Sequence, residues 1–210
     1  MNRHAVLLGD SIFDNAWYVP DGPAVIDQLR ERLGREWQAT LLARDGATAV
    51  SMRDQLGQVP DDATHLVVSV GGNDALGCSN IVQSEISADD AFAEVAAAQR
   101  EFQQDYRRTL QEIRSRQLPT LVCTVYDAVP DLSLPLVAGL SYFNDVILRE
   151  AIRVGLPVLD LRLVCDSPRD YSEVSPIEPS EAGGSKIARA IRRVLASHDF
   201  NRTETVVYGP

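Results

Sequence analysis

Five short runs of branched and small apolar residues punctuate the chain: Ala5–Leu8, Gln38–Ala43, His65–Val70, Thr120–Val125 and Pro157–Leu161. Each is nearly continuous in Val, Leu and Ala instead of alternating with polar residues. That is the pattern of strands covered on both faces in a parallel sheet. Between the runs the apolar positions recur with a helical period. Pro23–Leu33 sets Val25, Ile26, Leu29 and Leu33 on one face after the Asp21-Gly22 break, and a shorter helix is predicted over Ala47–Leu56. Phe92, Val95, Phe102, Tyr106, Leu110 and Ile113 are spaced by threes and fours. One long helix of about 25 residues therefore precedes Pro119. Leu136–Val154 is a fourth helical segment, cut off by Gly155 and Pro157. Ile187, Ile191, Val194 and Leu195 mark a C-terminal amphipathic helix, for which Ser180 is the N-cap candidate. The polar tail from Asn201 is predicted to be loosely held.

Strict alternation of strand and helix predicts one α/β domain over residues 1–210: a three-layer α/β/α fold with a flavodoxin-like, parallel, five-stranded sheet and right-handed crossovers. Ligands of such sheets bind beyond the carboxyl ends of the strands. Ser11, the Gly46 turn, the Asn73 turn and the Asp127 loop all fall there.

The first strand runs out as Leu7-Leu8-Gly9-Asp10-Ser11, so a buried strand ends by presenting a hydroxyl. A serine at a tight strand exit is where several hydrolase folds keep a nucleophile. Acyl transfer builds negative charge on a carbonyl oxygen, and the site needs fixed donors aimed at it. The backbone N–H groups of Ser11 and Gly46 and the side-chain amide of Asn73 are candidates, and glycine at 46 lets backbone approach a ligand closely. Taken singly, each has a plainer reading as a cap or turn residue. Their order at three successive strand ends points to a site.

Gly9-Asp10-Ser11, then Gly46, then Gly71-Gly72-Asn73-Asp74 resemble the first three blocks of the SGNH hydrolases, also called GDSL esterases and lipases, over almost the whole chain. The resemblance implies a hydrolase of small ester or other acyl substrates that needs no cofactor. Ser11 matches the nucleophile, and Ser11, Gly46 and Asn73 match the oxyanion hole. The family's last block carries an Asp and, three positions on, a His followed by Pro. Here Pro179, Gly183 and Ile187-Ala188 hold the register, and Ser175 and Glu178 occupy those two positions.

Three readings of Glu178 stand open. It can serve as the general base in place of histidine, with partial burial or the nearby Asp10, Asp14 and Asp74 raising its pKa and no second carboxylate at 175 to repel it. The domain can instead be a catalytically inactive binding module. Or Glu178 can simply pair with an arginine such as Arg44. No histidine substitutes for it readily: His4 and His65 open strands at the opposite edge, and His198 lies roughly 27 Å of helical rise beyond Ser180. Phe13, Trp17 and Tyr18, and likewise Tyr126, Tyr142 and Phe143, are candidates to wall a pocket or to pack the core. Gly183-Gly184 lacks the preceding strand of a dinucleotide loop.

Composition narrows the partners. With 20 basic and 30 acidic side chains the net charge is −10. This argues against nucleic acid or an anionic membrane surface, since both need a basic footprint. No apolar run reaches the roughly 20 residues of a membrane span, so membrane insertion is not expected. Cys78, Cys123 and Cys165 are odd in number and far apart, with no metal-ligand spacing and no disulfide framework. The acidic residues near Ser11 match no metal loop. With no leader before the first strand, the reading is a cytoplasmic protein.

Overall fold

The computed structural model describes residues 3–83 and 86–210. Six parallel strands form one sheet: β1 (Arg3–Gly9), β2 (Trp37–Leu41), β3 (His65–Ser69), β4 (Thr120–Cys123), β5 (Val158–Leu159) and β6 (Val207–Tyr208). Their spatial order is β2-β1-β3-β4-β5-β6. The helices between them are α1 (Val25–Leu33), α2 (Arg53–Leu56), α3 (Gly72–Leu76), α4 (Ala88–Ser115), α5 (Leu134–Arg153), α6 (Leu161–Val164) and α7 (Glu181–Ser197). α1 packs on α7 and α4 packs on α5. The sheet is thereby sandwiched, and Ala5, Val6, Leu7 and Leu8 of β1 are fully buried, as their uninterrupted apolar run requires.

The five predicted strands and the three-layer arrangement are present, and two expectations need correction. The tail is not loose. Val158 N donates to Val206 O at 2.9 Å and Asp160 N to Tyr208 O at 2.8 Å, which adds β6 to the edge of β5 as a sixth strand. Two apolar residues behind a polar stretch leave too short a pattern to register. The helix predicted over Ala47–Leu56 is reduced to α2. Residues before it are held in turns by side chains instead, as when Thr48 N donates to Ser51 Oγ at 2.9 Å.

The strand order changes direction at β1, so β2 and β3 leave it on opposite sides. This is the switch point at which open α/β sheets bind ligands. Gly9 ends β1 at φ +135°, and a Cβ there would lie 1.7 Å from Ser69 O of β3. Only glycine permits this exit, and it delivers residues 10 and 11 directly over the crevice. The Gln55 side chain fastens it, accepting from Gly9 N and donating to Gly9 O, both at 2.8 Å.

Candidate active site

Asp10 shapes the turn that presents Ser11. Its Oδ1 accepts from Ile12 N at 3.1 Å, and its carbonyl accepts from Phe13 N and Asp14 N, both at 3.1 Å. Ser11 N is left with no protein acceptor among the described residues. Gly46, at φ +77° in the left-handed region that favours glycine, likewise keeps a free N–H, with open space where a Cβ would be. Asn73 Nδ2 donates to Ala47 O at 3.0 Å, which leaves its second amide hydrogen available. Asp74 accepts from Ala49 N at 3.1 Å, and Thr109 Oγ1 donates to Ala49 O at 2.7 Å. The loop carrying Gly46 is therefore clamped onto the segment carrying Asn73.

Glu178 arrives from the loop before α7. Ser11 Oγ donates to Glu178 Oε1 at 3.4 Å, longer than the usual O–H···O contact, as for catalytic hydrogen bonds that tighten only around substrate. The loop is pinned on both sides of Glu178. The Tyr126 hydroxyl donates to Ile177 O at 2.6 Å, Ser172 N to Glu178 O at 2.9 Å, and Asn15 Nδ2 to Pro179 O at 3.1 Å. Ser180 caps α7 as predicted, its Oγ accepting from Gly183 N at 3.1 Å.

Glu178 is 4% exposed and its Oε2 has no hydrogen-bond partner among the described residues. Burial, reinforced by the charge of Asp45, pushes its carboxyl above the ordinary range, while the Ser175 and Ser11 hydroxyls partly oppose the shift. The neighbouring charge is thus Asp45, not the Asp10, Asp14 or Asp74 expected from sequence. Asp45 also accepts from the Tyr18 hydroxyl at 2.7 Å. The alternative reading, a pairing with an arginine, is not what the structure shows. Arg44 reaches Gln58 Oε1 at 3.1 Å, and no ion pair involves Glu178 among the described residues. Asp10 is buried and pushed up to about 7, chiefly by desolvation, and Asp74 to about 6 by the same cause.

All three histidines lie away from Ser11. His4 bonds Asp62 and Thr40, His65 packs between Trp37 and Phe200, and His198 packs on Phe200 and Tyr208. A cavity of about 450 Å³ opens beside Ser11 and Glu178, with Asn73, Tyr126, Tyr142 and Phe143 among its walls. Phe13 is instead a core residue, and Trp17 is 82% exposed. Among the described residues no cluster of His, Cys, Asp and Glu could hold a metal ion, the cysteines are free, and no helix is long and apolar enough to cross a membrane.

Sequence reasoning missed Asn15, Gln55 and Asp45. The hydrogen bonds of Asn15 and Gln55 to Pro179 and Gly9, and the charge of Asp45 near Glu178, link distant segments, and no local pattern marks them. It named Tyr126, Tyr142 and Phe143 as possible pocket walls but missed the α4 side of the cavity, whose residues read as an ordinary helix face.

The same architecture recurs in solved structures. The lipase Lip_vut3 from a goat rumen metagenome shares 18% identity at a TM-score of 0.72, with 97% of this chain and 100% of that one covered. A member of the lipolytic G-D-S-L family from Veillonella parvula DSM 2008 shares 15% identity at a TM-score of 0.69, covering 93% and 100%. Phospholipase A1 from Streptomyces albidoflavus NA297 shares 15% identity at a TM-score of 0.68, covering 95% and 100%. Identities this low establish the fold and nothing finer. No curated protein matches the chain in sequence. The profile of the GDSL-like lipase/acylhydrolase family, in contrast, matches residues 7–185, a span that holds Ser11, Gly46, Asn73 and Glu178 alike. The chain belongs to that family of ester-acting hydrolases.

Proposed function

We propose that the protein hydrolyses esters through a Ser11–Glu178 dyad, with no histidine and no cofactor. The observation that carries this reading is the Ser11 Oγ–Glu178 Oε1 hydrogen bond at 3.4 Å, made by a carboxylate that no cation neutralises. Glu178 takes the Ser11 proton as Oγ attacks the acyl carbon. The carbonyl oxygen becomes an oxyanion held by Ser11 N, Gly46 N and Asn73 Nδ2. Glu178 then returns the proton to the leaving oxygen as the ester C–O bond breaks, and a water repeats the cycle on the acyl-enzyme.

An ordinary glutamate lies about two pKa units below histidine, about 3 kcal/mol less driving force for proton transfer. Burial and Asp45 act to close that gap. A carboxylate also needs no Asp to fix its tautomer, which fits serine at position 175. Purified protein is expected to turn over p-nitrophenyl acetate. Ser11→Ala should abolish the turnover, and Glu178→Gln, which keeps shape but not proton acceptance, should lower kcat by about 10²-fold. Equal rates in wild type and Ser11→Ala overturn the serine mechanism. Full activity in Glu178→Gln removes the dyad.

A further inference from the structure

The cavity beside Ser11 is deeper than a short acyl group needs. It continues from Asn73 between the N-terminal halves of α4 and α5. α4 turns Ala88, Ala91, Val95 and Ala98 toward it, one face spaced by threes and fours, and three of the four are alanine. These positions span about 15 Å of helix. Opposite them, α5 presents Gly139, where a Cβ would meet nothing within 4 Å. The two helices close only farther along, where Gln99 Nε2 donates to Tyr142 O and the Phe102 and Phe143 rings stand 5.0 Å apart. Together with Phe92 of α4 and Pro135, Leu136 and Leu140 of α5, these residues line an apolar slot between the first turns of the two helices. Among the described residues around it, only Asp10 and Glu178 can carry charge near neutral pH, both acidic and both at the Ser11 end, and no described Lys, Arg or His lines it.

We propose that the slot seats an uncharged, straight acyl chain of about ten carbons, and that Gly139 sets its permitted length and width. This rests on the Ser11 reading above. In that mechanism Glu178 returns the proton to the leaving oxygen, so the alcohol lies on the side of Glu178, Asp45 and Tyr18. The acyl substituent then points the other way, past Asn73 and into the slot. A chain ending in a carboxylate finds no cation there, so half-esters of dicarboxylic acids are poor substrates.

The test is kcat/KM across p-nitrophenyl esters from two to twelve carbons. It should rise by up to about fourfold per methylene, the transfer gain of one buried CH₂, and level off near ten carbons. Gly139→Leu fills the slot and suits a helix better than glycine. It should lower the ratio of ten-carbon to acetate kcat/KM at least tenfold, while Gly139→Ala stays close to the wild-type ratio. A flat or falling series overturns the inference, as does Gly139→Leu slowing both esters equally; a Ser11-dependent acetate rate in those cases leaves the hydrolase reading intact. Calorimetric titration of Ser11→Ala with decanamide reads the slot without turnover. Binding that Gly139→Leu abolishes supports the slot even if the serine mechanism fails, and no binding overturns it.

Discussion

Glu178 is the residue on which the chemistry turns, and its surroundings decide how well it can work. Two effects lift its pKa: loss of water around a residue that is 4% exposed, and the negative charge of Asp45. A base must be ionised to act, so kcat/KM should fall as pH drops through the Glu178 pKa. That limb is expected above the ordinary carboxylate range. Asp45→Asn removes the like charge while its side-chain oxygen can still accept from Tyr18. The Glu178 pKa then drops, so the acid limb should move to lower pH and the plateau rate should decline with the base strength. A pH–rate profile of the variant checks both signs. An unmoved limb would mean that Asp45 does not act on the titrating group.

At the scale of elements, the site depends on long-range hydrogen bonds that lock three loops at one sheet edge. Asn15 carries the most, being fully buried, donating to Pro179 O and accepting from Val25 N at the start of α1. Asn15→Ala orphans both backbone groups, at about 1–3 kcal/mol each. The expected outcome is a lowered Tm together with a kcat loss on p-nitrophenyl acetate at nearly constant KM, because Glu178 is then poorly placed. A lowered Tm with unchanged kcat would assign Asn15 to stability alone. Asn15 also shows where sequence reading stops. Gly9-Asp10-Ser11 and Gly71-Gly72-Asn73-Asp74 are legible because each is a contiguous block at the end of an apolar strand. Asn15, Gln55 and Asp45 look like ordinary polar loop or helix residues, and their partners lie 164, 46 and, for Tyr18, 27 positions away. The long helix α4 could be read from its period, but its alanine face becomes a cavity wall only when α5 stands opposite. Likewise β6 is a strand because β5 offers it an edge, not because Val207–Tyr208 announces one.

Across the whole molecule, burying carboxyls beside the switch point has a cost that depends on pH. Asp10 is 1% exposed with a pKa pushed up to about 7, against 3.8 without burial. Between those values the folded protein holds a proton that the unfolded chain has lost. Stability therefore falls as pH rises from about 4 to about 7 and is flat above, on the order of 4 kcal/mol for this group. Asp74, pushed up to about 6 by burial, acts in the same direction. Asp10→Asn can keep the acceptor for Ile12 N and carries no charge. It should gain Tm relative to wild type, by more at pH 8 than at pH 5. Thermal unfolding at the two pH values checks it, and an equal gain at both would mean that Asp10 does not titrate in this window. The fold tolerates this burden because the central strands β1, β3 and β4 are buried between the helix layers, and the turn at Ser11 that Asp10 builds is the return.

The central claim, that Ser11 is a nucleophile activated by Glu178, is tested most directly by the rate at which a fluorophosphonate modifies the protein, read by mass spectrometry at peptide resolution. A single adduct on Ser11 is expected, absent from Ser11→Ala and formed about 10²-fold more slowly in Glu178→Gln. No adduct, an adduct on another residue, or equal rates in wild type and Glu178→Gln would contradict the account.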